Sequence, residues 1–307
     1  MLASVLQAAS VPIGCSVAAE LDLGNHQTTT GDLGSPVVVS LVCHCFAQRD
    51  PMFDSFPRPL IFGHRGACAQ APENTLESFQ LAVDAGVDVL ELDVHMSRDG
   101  ELVVIHDATV DRTTNGHGAV SSLTLCELDR LDAGYGYARD GEHPWRGRRV
   151  KVSRLADVLE AFPSVGFNVE LKQHRPSLVP PALTLLDRID PTRLVIAAED
   201  HRTMAEIERF GPRAPLGMSR EQVVRALLGA YSSGVPTRFR GRALQIPPTH
   251  HGLPVASALL IRRAHAAGLE VHLWTLDEPD EARKWVALGA DGIMSDAPAR
   301  IVAALRP

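Results

Sequence analysis

The sequence predicts an α/β protein, a (β/α)8 TIM barrel with a small insertion between its second and third strands. Three observations carry that expectation. From Leu60 onward, eight short apolar runs alternate with helix-period segments, and right-handed crossovers between parallel neighbours make a closed barrel the simplest arrangement of such units. Residues 59–307 supply the ~250 residues that eight units need. The alternation is interrupted once, from about Ser97 to Pro163, by an excursion too long for a bare loop.

The first strand, LIFG at Leu60, leads through GHRGACAQAPENTLESF to a helix in NTLESFQLAVDA. Asn74 reads as the helix N-cap and Glu77, three residues later, as its capping-box partner, with Glu73 leading the helix. VLELDV is the second strand. The excursion then opens as a hairpin, DVHMSRDGELVVIHD, whose Asp99-Gly100 suits a two-residue type I′ turn. Such a turn sets Arg98 opposite Glu101 and Asp93 opposite His106, placing His106 on the face shared by Glu91 and Asp93. The tail of the excursion, AGYGYARDGEHPWRGRRV, reads as an irregular cap whose Tyr and Trp residues line an entrance. RLADVLEAF closes it as a helix, and the strands VGFNVELK, RLVIAA, APLGMS, ALQIP, EVHLWTL and DGIMSD follow. Helical segments SLVPPALTLLDRI, RTMAEIERF, EQVVRALLGAY, VASALLIRRAHAAG, EPDEARKWVALG and PARIVAALR succeed them.

Residues 1–58 break this texture. Their mixed small and polar composition, as in GNHQTTTGDLGSP, reads as a poorly ordered N-terminal extension. The opening 24 residues are apolar, but they lack a Lys/Arg-bearing start and are broken by Gln7 and Pro12, so a cytoplasmic protein is expected, with export or lipid anchoring as the alternative. Met52, just ahead of the barrel, is a candidate for the true start, upstream residues then being a leader. Five cysteines without framework spacing indicate reduced thiols rather than disulfides. The CHC at Cys43–Cys45 has no second Cys/His pair at finger-like spacing, which argues against zinc. A net charge of −7 without basic runs argues against nucleic acid, and no apolar run approaches the ~20 residues of a membrane span. The expected partner is a small molecule; nothing in the sequence sets an oligomeric state.

Barrels of this kind carry their chemistry at the C-terminal ends of the strands. Polar residues ending the apolar runs are His64, Arg65, Glu91, Asp93, Glu170, Lys172, Gln245, Trp274 and Asp296. Glu91, Asp93 and Glu170 would repel one another in a dry mouth unless a cation intervenes, and oxygen-only ligation selects Mg²⁺ or Ca²⁺. His64 and His106 flank that centre as an acid/base pair. Arg65 and Lys172 suit a phosphoryl group, Glu73 steadies Arg65, and Trp274 offers an aromatic wall to a ligand.

In order and spacing, GHRGACAQAPENTLESF, VLELDVHMSRDGELVVIHDATVDRTTNGHG, NVELK, LWTL and DGIMSDAP closely resemble the glycerophosphodiester phosphodiesterase family, over nearly everything from Leu60 to about Leu305. The resemblance implies metal-dependent hydrolysis of glycerophosphodiesters to sn-glycerol 3-phosphate and an alcohol, begun by attack of the substrate's own neighbouring hydroxyl on phosphorus. At the matching positions Glu91, Asp93 and Glu170 hold the metal, His64 and His106 transfer protons, Arg65 holds the phosphate and Lys172 assists. No protein nucleophile is required, and GMSRE lacks the second glycine of a nucleophile elbow. The family's usual Pro-Thr-Leu turn is replaced by KVSRLADVLE, and residues 1–58 have no counterpart. The alternative on the same scaffold is a lysophospholipase D or phospholipase-C-like enzyme acting on lipid. A barrel retained only for binding and a metal-dependent lyase fit less well, because neither uses two histidines around a phosphate.

Overall fold

A computed structural model describes residues 52–232, 234–235 and 239–306. The leader, the CHC cluster and the character of residues 1–51 lie outside the described residues. Among the described residues the strands are β1 (Leu60–His64), β2 (Val89–Met96), the outlying β3 (Leu102–Val104), β4 (Gly166–Leu171), β5 (Leu194–Ala197), β6 (Leu216–Gly217), β7 (Gly241–Ile246), the exposed pair β8 (Thr249–His250) and β9 (Leu253–Pro254), β10 (Glu270–Leu273) and β11 (Gly292–Ser295). The order β1-β11-β10-β7-β6-β5-β4-β2, together with the pairing of β1 to β2, closes eight strands into a barrel. Every wall pairing is parallel. The eight apolar runs read from the sequence are these eight strands, nearly continuously buried because helices cover one face and the barrel interior the other.

The helices are α1 (Leu76–Asp84), α2 (Leu125–Leu128), α3 (Leu155–Ala161), α4 (Val179–Leu186), α5 (His201–Phe210), α6 (Arg220–Ala230), α7 (Ala258–Ala266), α8 (Pro279–Ala287) and α9 (Pro298–Leu305). Side chains alternate across each strand, so Ile61, Leu90, Leu92 and Val169 join the outer core beneath the helices, while Leu60, Phe62, Val89 and Val195 fill the barrel interior at its N-terminal end. Met52 and Phe53 are buried in that inner cluster. The barrel therefore takes in residues 52–58, which the sequence assigns to the extension. Arg58 donates to Glu270 at 2.8 and 3.1 Å, and the Met52 N–H reaches Glu270 Oε1 at 2.8 Å. A few large apolar residues scattered among prolines and polar residues, as in PMFDSFPRP, give no periodic signal, which is why this floor was not legible.

The hairpin differs from the expectation by one residue. Val94 pairs with Val104, His95 with Val103 and Met96 with Leu102, so Asp93 meets Ile105, whose N–H donates to the Asp93 carbonyl at 2.9 Å. Arg98 does not face Glu101; Ser97 does, with Ser97 N–H to the Glu101 carbonyl at 2.9 Å. Gly100 takes a φ of 88° and its N–H closes on Ser97 O at 3.1 Å. Arg98, Asp99 and Gly100 thus form the three-residue loop with a left-handed glycine, the next commonest hairpin after the two-residue turn.

The rest of the excursion has its own apolar cluster, centred on Val103, Val110, Val120, Leu128 and Val150. Helix α2 within it went unread, although Thr124 and Glu127 form a full capping box of the S/T-x-x-E kind. At α3 the altered turn has a consequence: Arg154 occupies the N-cap and makes no side-chain cap hydrogen bond.

Candidate active site

Register across three neighbouring strands assembles the centre. His64 at the end of β1 pairs with Glu91 of β2, and Asp93, two residues on and on the same face, pairs with Glu170 of β4. One carboxylate oxygen from each of Glu91, Asp93 and Glu170 lies within 4.8 Å of the others. Lys172, just beyond β4, brings its Nζ to 3.1 Å from Asp93 and 2.8 Å from Glu170. Arg65 holds a φ of 51°, which turns its N–H onto Glu91 Oε2 at 3.0 Å, while its guanidinium lies 3.2 Å from Asp93 and 3.1 Å from Glu73. Gly66 makes this turn feasible: at φ 87° an added Cβ would sit 2.3 Å from Ser78 Oγ and 2.6 Å from Ser78 backbone.

The electrostatics follow from burial. Glu91, nearly enclosed and beside Asp93 and Glu170, has its pKa pushed up to about 7. Burial acts the same way on Asp93, but Lys172 and Arg65 outweigh it and hold that carboxyl below the usual range. His64 loses basicity to burial and regains more from its bond to Asp296 and from Glu91. Its Nδ1 is 2.6 Å from Asp296 Oδ1, and its Nε2 is 3.9 Å from Glu91 Oε2.

His106 comes to the same centre by a different route from the one its hairpin register suggested. It lies beyond the last β3 residue, where strand alternation no longer dictates a side, and it is close enough to Asp93 to be among the neighbours that hold that carboxyl below the usual range. Its Nδ1 is 2.7 Å from Asp107 Oδ1, and its main-chain carbonyl contacts His95 Nε2 at 3.2 Å. His95 is itself buried, a support beneath that turn.

Comparison with known proteins bears on this constellation. The sequence profile described as "Glycerophosphoryl diester phosphodiesterase family" matches residues 64–300. The chain belongs to that family. It is 35% identical over 249 residues to YhdW of Bacillus subtilis, covering 79% of this chain and 96% of that protein. The glycerophosphodiester phosphodiesterase of Caldanaerobacter subterraneus is 28% identical over 262 residues, covering 81% of this chain and 98% of the other. Among solved structures, the glycerophosphodiester phosphodiesterase of Agrobacterium tumefaciens superposes with a TM-score of 0.66 at 29% identity, over 80% of this chain and 99% of that one. A phosphodiesterase of Oleispira antarctica, solved in complex with the product sn-glycerol-3-phosphate, superposes with a TM-score of 0.67 at 25% identity, over 84% and 100% of the two chains.

In this glycerophosphodiester phosphodiesterase, a phosphoric diester hydrolase, the three converging carboxylates suit a hard divalent cation. All donors are oxygen, and burial, with Asp93 and Glu170 alongside, raises the Glu91 pKa, a cost that such an ion would relieve. Sequence reasoning missed the residues that hold these groups. Asn74 is not the cap of α1; Thr75 is, accepting from the Ser78 N–H. Asn74 instead is buried with its Nδ2 donating to Asp93 Oδ2 at 2.9 Å and its Oδ1 accepting from the Asp93 N–H at 3.2 Å. Arg112 clamps two carboxylates at once, Glu73 at 2.7 and 2.8 Å and Asp107 at 2.6 and 3.1 Å, thereby linking the support of Arg65 to that of His106. The sequence signal was the HDATVDRTT run, in which the acid follows His106 directly and the base comes five residues later.

Trp274, at the end of β10, is 39% exposed, a solvent-facing aromatic at the mouth. In the excursion, Tyr137 and Trp145 donate to the carbonyls of Ala69 (2.8 Å) and Gln70 (3.2 Å), so they stitch the insertion to the loop after β1. Among the described residues no helix is long and apolar enough to cross a membrane.

Proposed function

We propose that the protein hydrolyses glycerophosphodiesters to sn-glycerol 3-phosphate and an alcohol, with His64 and His106 as its acid/base pair. The observation that carries the reading is the matched pair of imidazoles. Each has Nδ1 against a carboxylate, Asp296 for His64 and Asp107 for His106, which fixes the Nδ1–H tautomer and leaves Nε2 for a substrate proton.

One imidazole accepts the proton of the glycerol hydroxyl beside the phosphodiester. The freed oxygen attacks phosphorus, and the other imidazole gives its proton to the departing alcohol oxygen. Water then opens the cyclic phosphate with the two roles exchanged, which restores both rings. Arg65 and Lys172 neutralise the non-bridging oxygens, Glu73 orients Arg65, and Trp274 walls the mouth. A single Mg²⁺ or Ca²⁺ held by Glu91, Asp93 and Glu170 supplies Lewis-acid stabilisation of phosphoryl charge when bound. The cysteine usage supports a cytoplasmic setting.

The test is release of sn-glycerol 3-phosphate from glycerophosphocholine, with and without chelator, by the wild type and His106→Ala. Chelation is expected to abolish turnover and the substitution to lower kcat by about 10²–10⁴-fold. Undiminished turnover in the variant, or indifference to chelator, overturns the mechanism. A parallel assay on lysophosphatidylcholine decides the substrate, since cleavage of that lipid in place of glycerophosphocholine favours the lysophospholipase reading.

A further inference from the structure

We propose that His64, Cys68 and Asp296 form a second cation site, chemically distinct from the carboxylate cluster, that takes a borderline or soft divalent ion such as Zn²⁺ and thereby silences His64. One donor atom from each residue, an imidazole nitrogen, a thiol sulfur and a carboxylate oxygen, lies within 4.8 Å of the other two. That is a nitrogen, sulfur and oxygen set, whereas Glu91, Asp93 and Glu170 offer oxygen alone. Hard cations prefer the second set; zinc and its heavier relatives favour thiolate and imidazole.

The three donors are held together by more than their own side chains. His64 ends β1 and Asp296 directly follows β11, strands that are hydrogen-bonded neighbours. The loop carrying Cys68 is pinned to Asp296 by the Ala69 N–H donating to the Asp296 carbonyl at 2.9 Å. Tyr137 and Trp145 brace the same loop from the insertion side. A tetrahedral zinc ion needs its ligand atoms about 3.3–3.8 Å apart, so small side-chain rotations suffice, with the fourth position left to water. Cys68 is half-buried and carries no part of the proposed hydrolysis.

Binding replaces the Cys68 Sγ–H bond by a sulfur–metal bond, releasing that proton to solvent, and as the His64 Nδ1 takes up the metal the ring proton passes from Nδ1 to Nε2. Asp296 moves from orienting His64 to ligating the ion. His64 then loses the tautomer that presents Nε2 as a base, and the attached cation makes Nε2 less basic. This inhibitory effect rests on the role proposed above for His64; the site itself rests on the three donors.

Two measurements test it on the full chain with Ca²⁺ in excess to fill the carboxylate cluster. In the first, Co²⁺ is titrated as an optical reporter: the wild type should show a thiolate-to-cobalt charge-transfer band of which Cys68→Ser loses one thiolate's share, while Cys126→Ser keeps it. In the second, Zn²⁺ is titrated against glycerophosphocholine turnover: Cys68→Ser should keep the uninhibited rate and need at least tenfold more Zn²⁺ for half-inhibition. An unchanged cobalt spectrum or an unchanged Zn²⁺ midpoint in Cys68→Ser overturns the site. A Cys68-dependent band without inhibition overturns the silencing of His64. Hydrolysis assayed without Zn²⁺ reports separately on the proposed activity.

Discussion

Asn74 holds a φ of 59°, a left-handed conformation that asparagine tolerates better than most residues. Its amide reads Asp93 twice, once at the side chain and once at the main chain. Pairs of this kind fix the orientation of a carboxylate more than they add stability, and metal affinity depends on such outer contacts. Asn74→Ala is therefore expected to weaken divalent-cation binding by about 10–100-fold, measured by calorimetric titration; an unchanged affinity would show that Asp93 needs no such support. Arg112 makes the same point for the imidazole side of the site. One guanidinium serves the carboxylate behind His106 and the carboxylate beside Arg65, so the loop after β1 and the excursion after β2 are set relative to each other by a single side chain.

At the scale of elements, the β2–β3 hairpin shows how a correct motif can carry an incorrect register. Asp99-Gly100 does mark the turn, but alternation on either side is satisfied by two loop lengths that differ by one residue, and a period of two cannot distinguish them near a strand end. Leu102, Val103 and Val104 are all buried, so the run is apolar on both faces and gives no preference. Gly100 is what the three-residue loop demands, and an added Cβ there meets nothing within 4 Å. Gly100→Ala should consequently cost only backbone strain, about 1 kcal/mol, seen as a lowered thermal midpoint with turnover retained. A neutral substitution would mean that the loop adopts another turn.

For the molecule as a whole, the closure of the barrel floor sets a pH dependence. Glu270 accepts from Arg58, the Met52 N–H and His272. Burial alone would raise its pKa, but the His272 and Arg58 hydrogen bonds and charges bring it down to about 2. A carboxyl whose folded pKa is depressed stabilises the fold above its unfolded value, and that contribution is lost as pH falls through the folded one. Glu270→Gln should accordingly destabilise the protein by about 2 kcal/mol at neutral pH. The gap between variant and wild type, read by denaturant unfolding, should narrow below pH ~4.5 and close near pH ~2. A gap that stays constant down to low pH would show that Glu270 acts through packing instead of charge.

The eight strands were legible because a parallel strand covered on both faces must be a short continuous apolar run, and eight of these separated by helix-period segments leave few other closed arrangements. His64, Arg65, Glu91, Asp93, Glu170 and Lys172 were legible as polar residues at the ends of such runs. Sequence therefore set the architecture and the inventory of the site. It did not set which residues face one another. The pairings of His64 with Glu91 and Asp93 with Glu170 are registers between strands joined through helices, and local periodicity carries no information across a crossover. Asn74, Asp107, Arg112 and Asp296 gained their roles from loops that only the closed barrel and its excursion bring together. Met52 and Phe53 became core only because the barrel left an opening at its N-terminal end for them to fill.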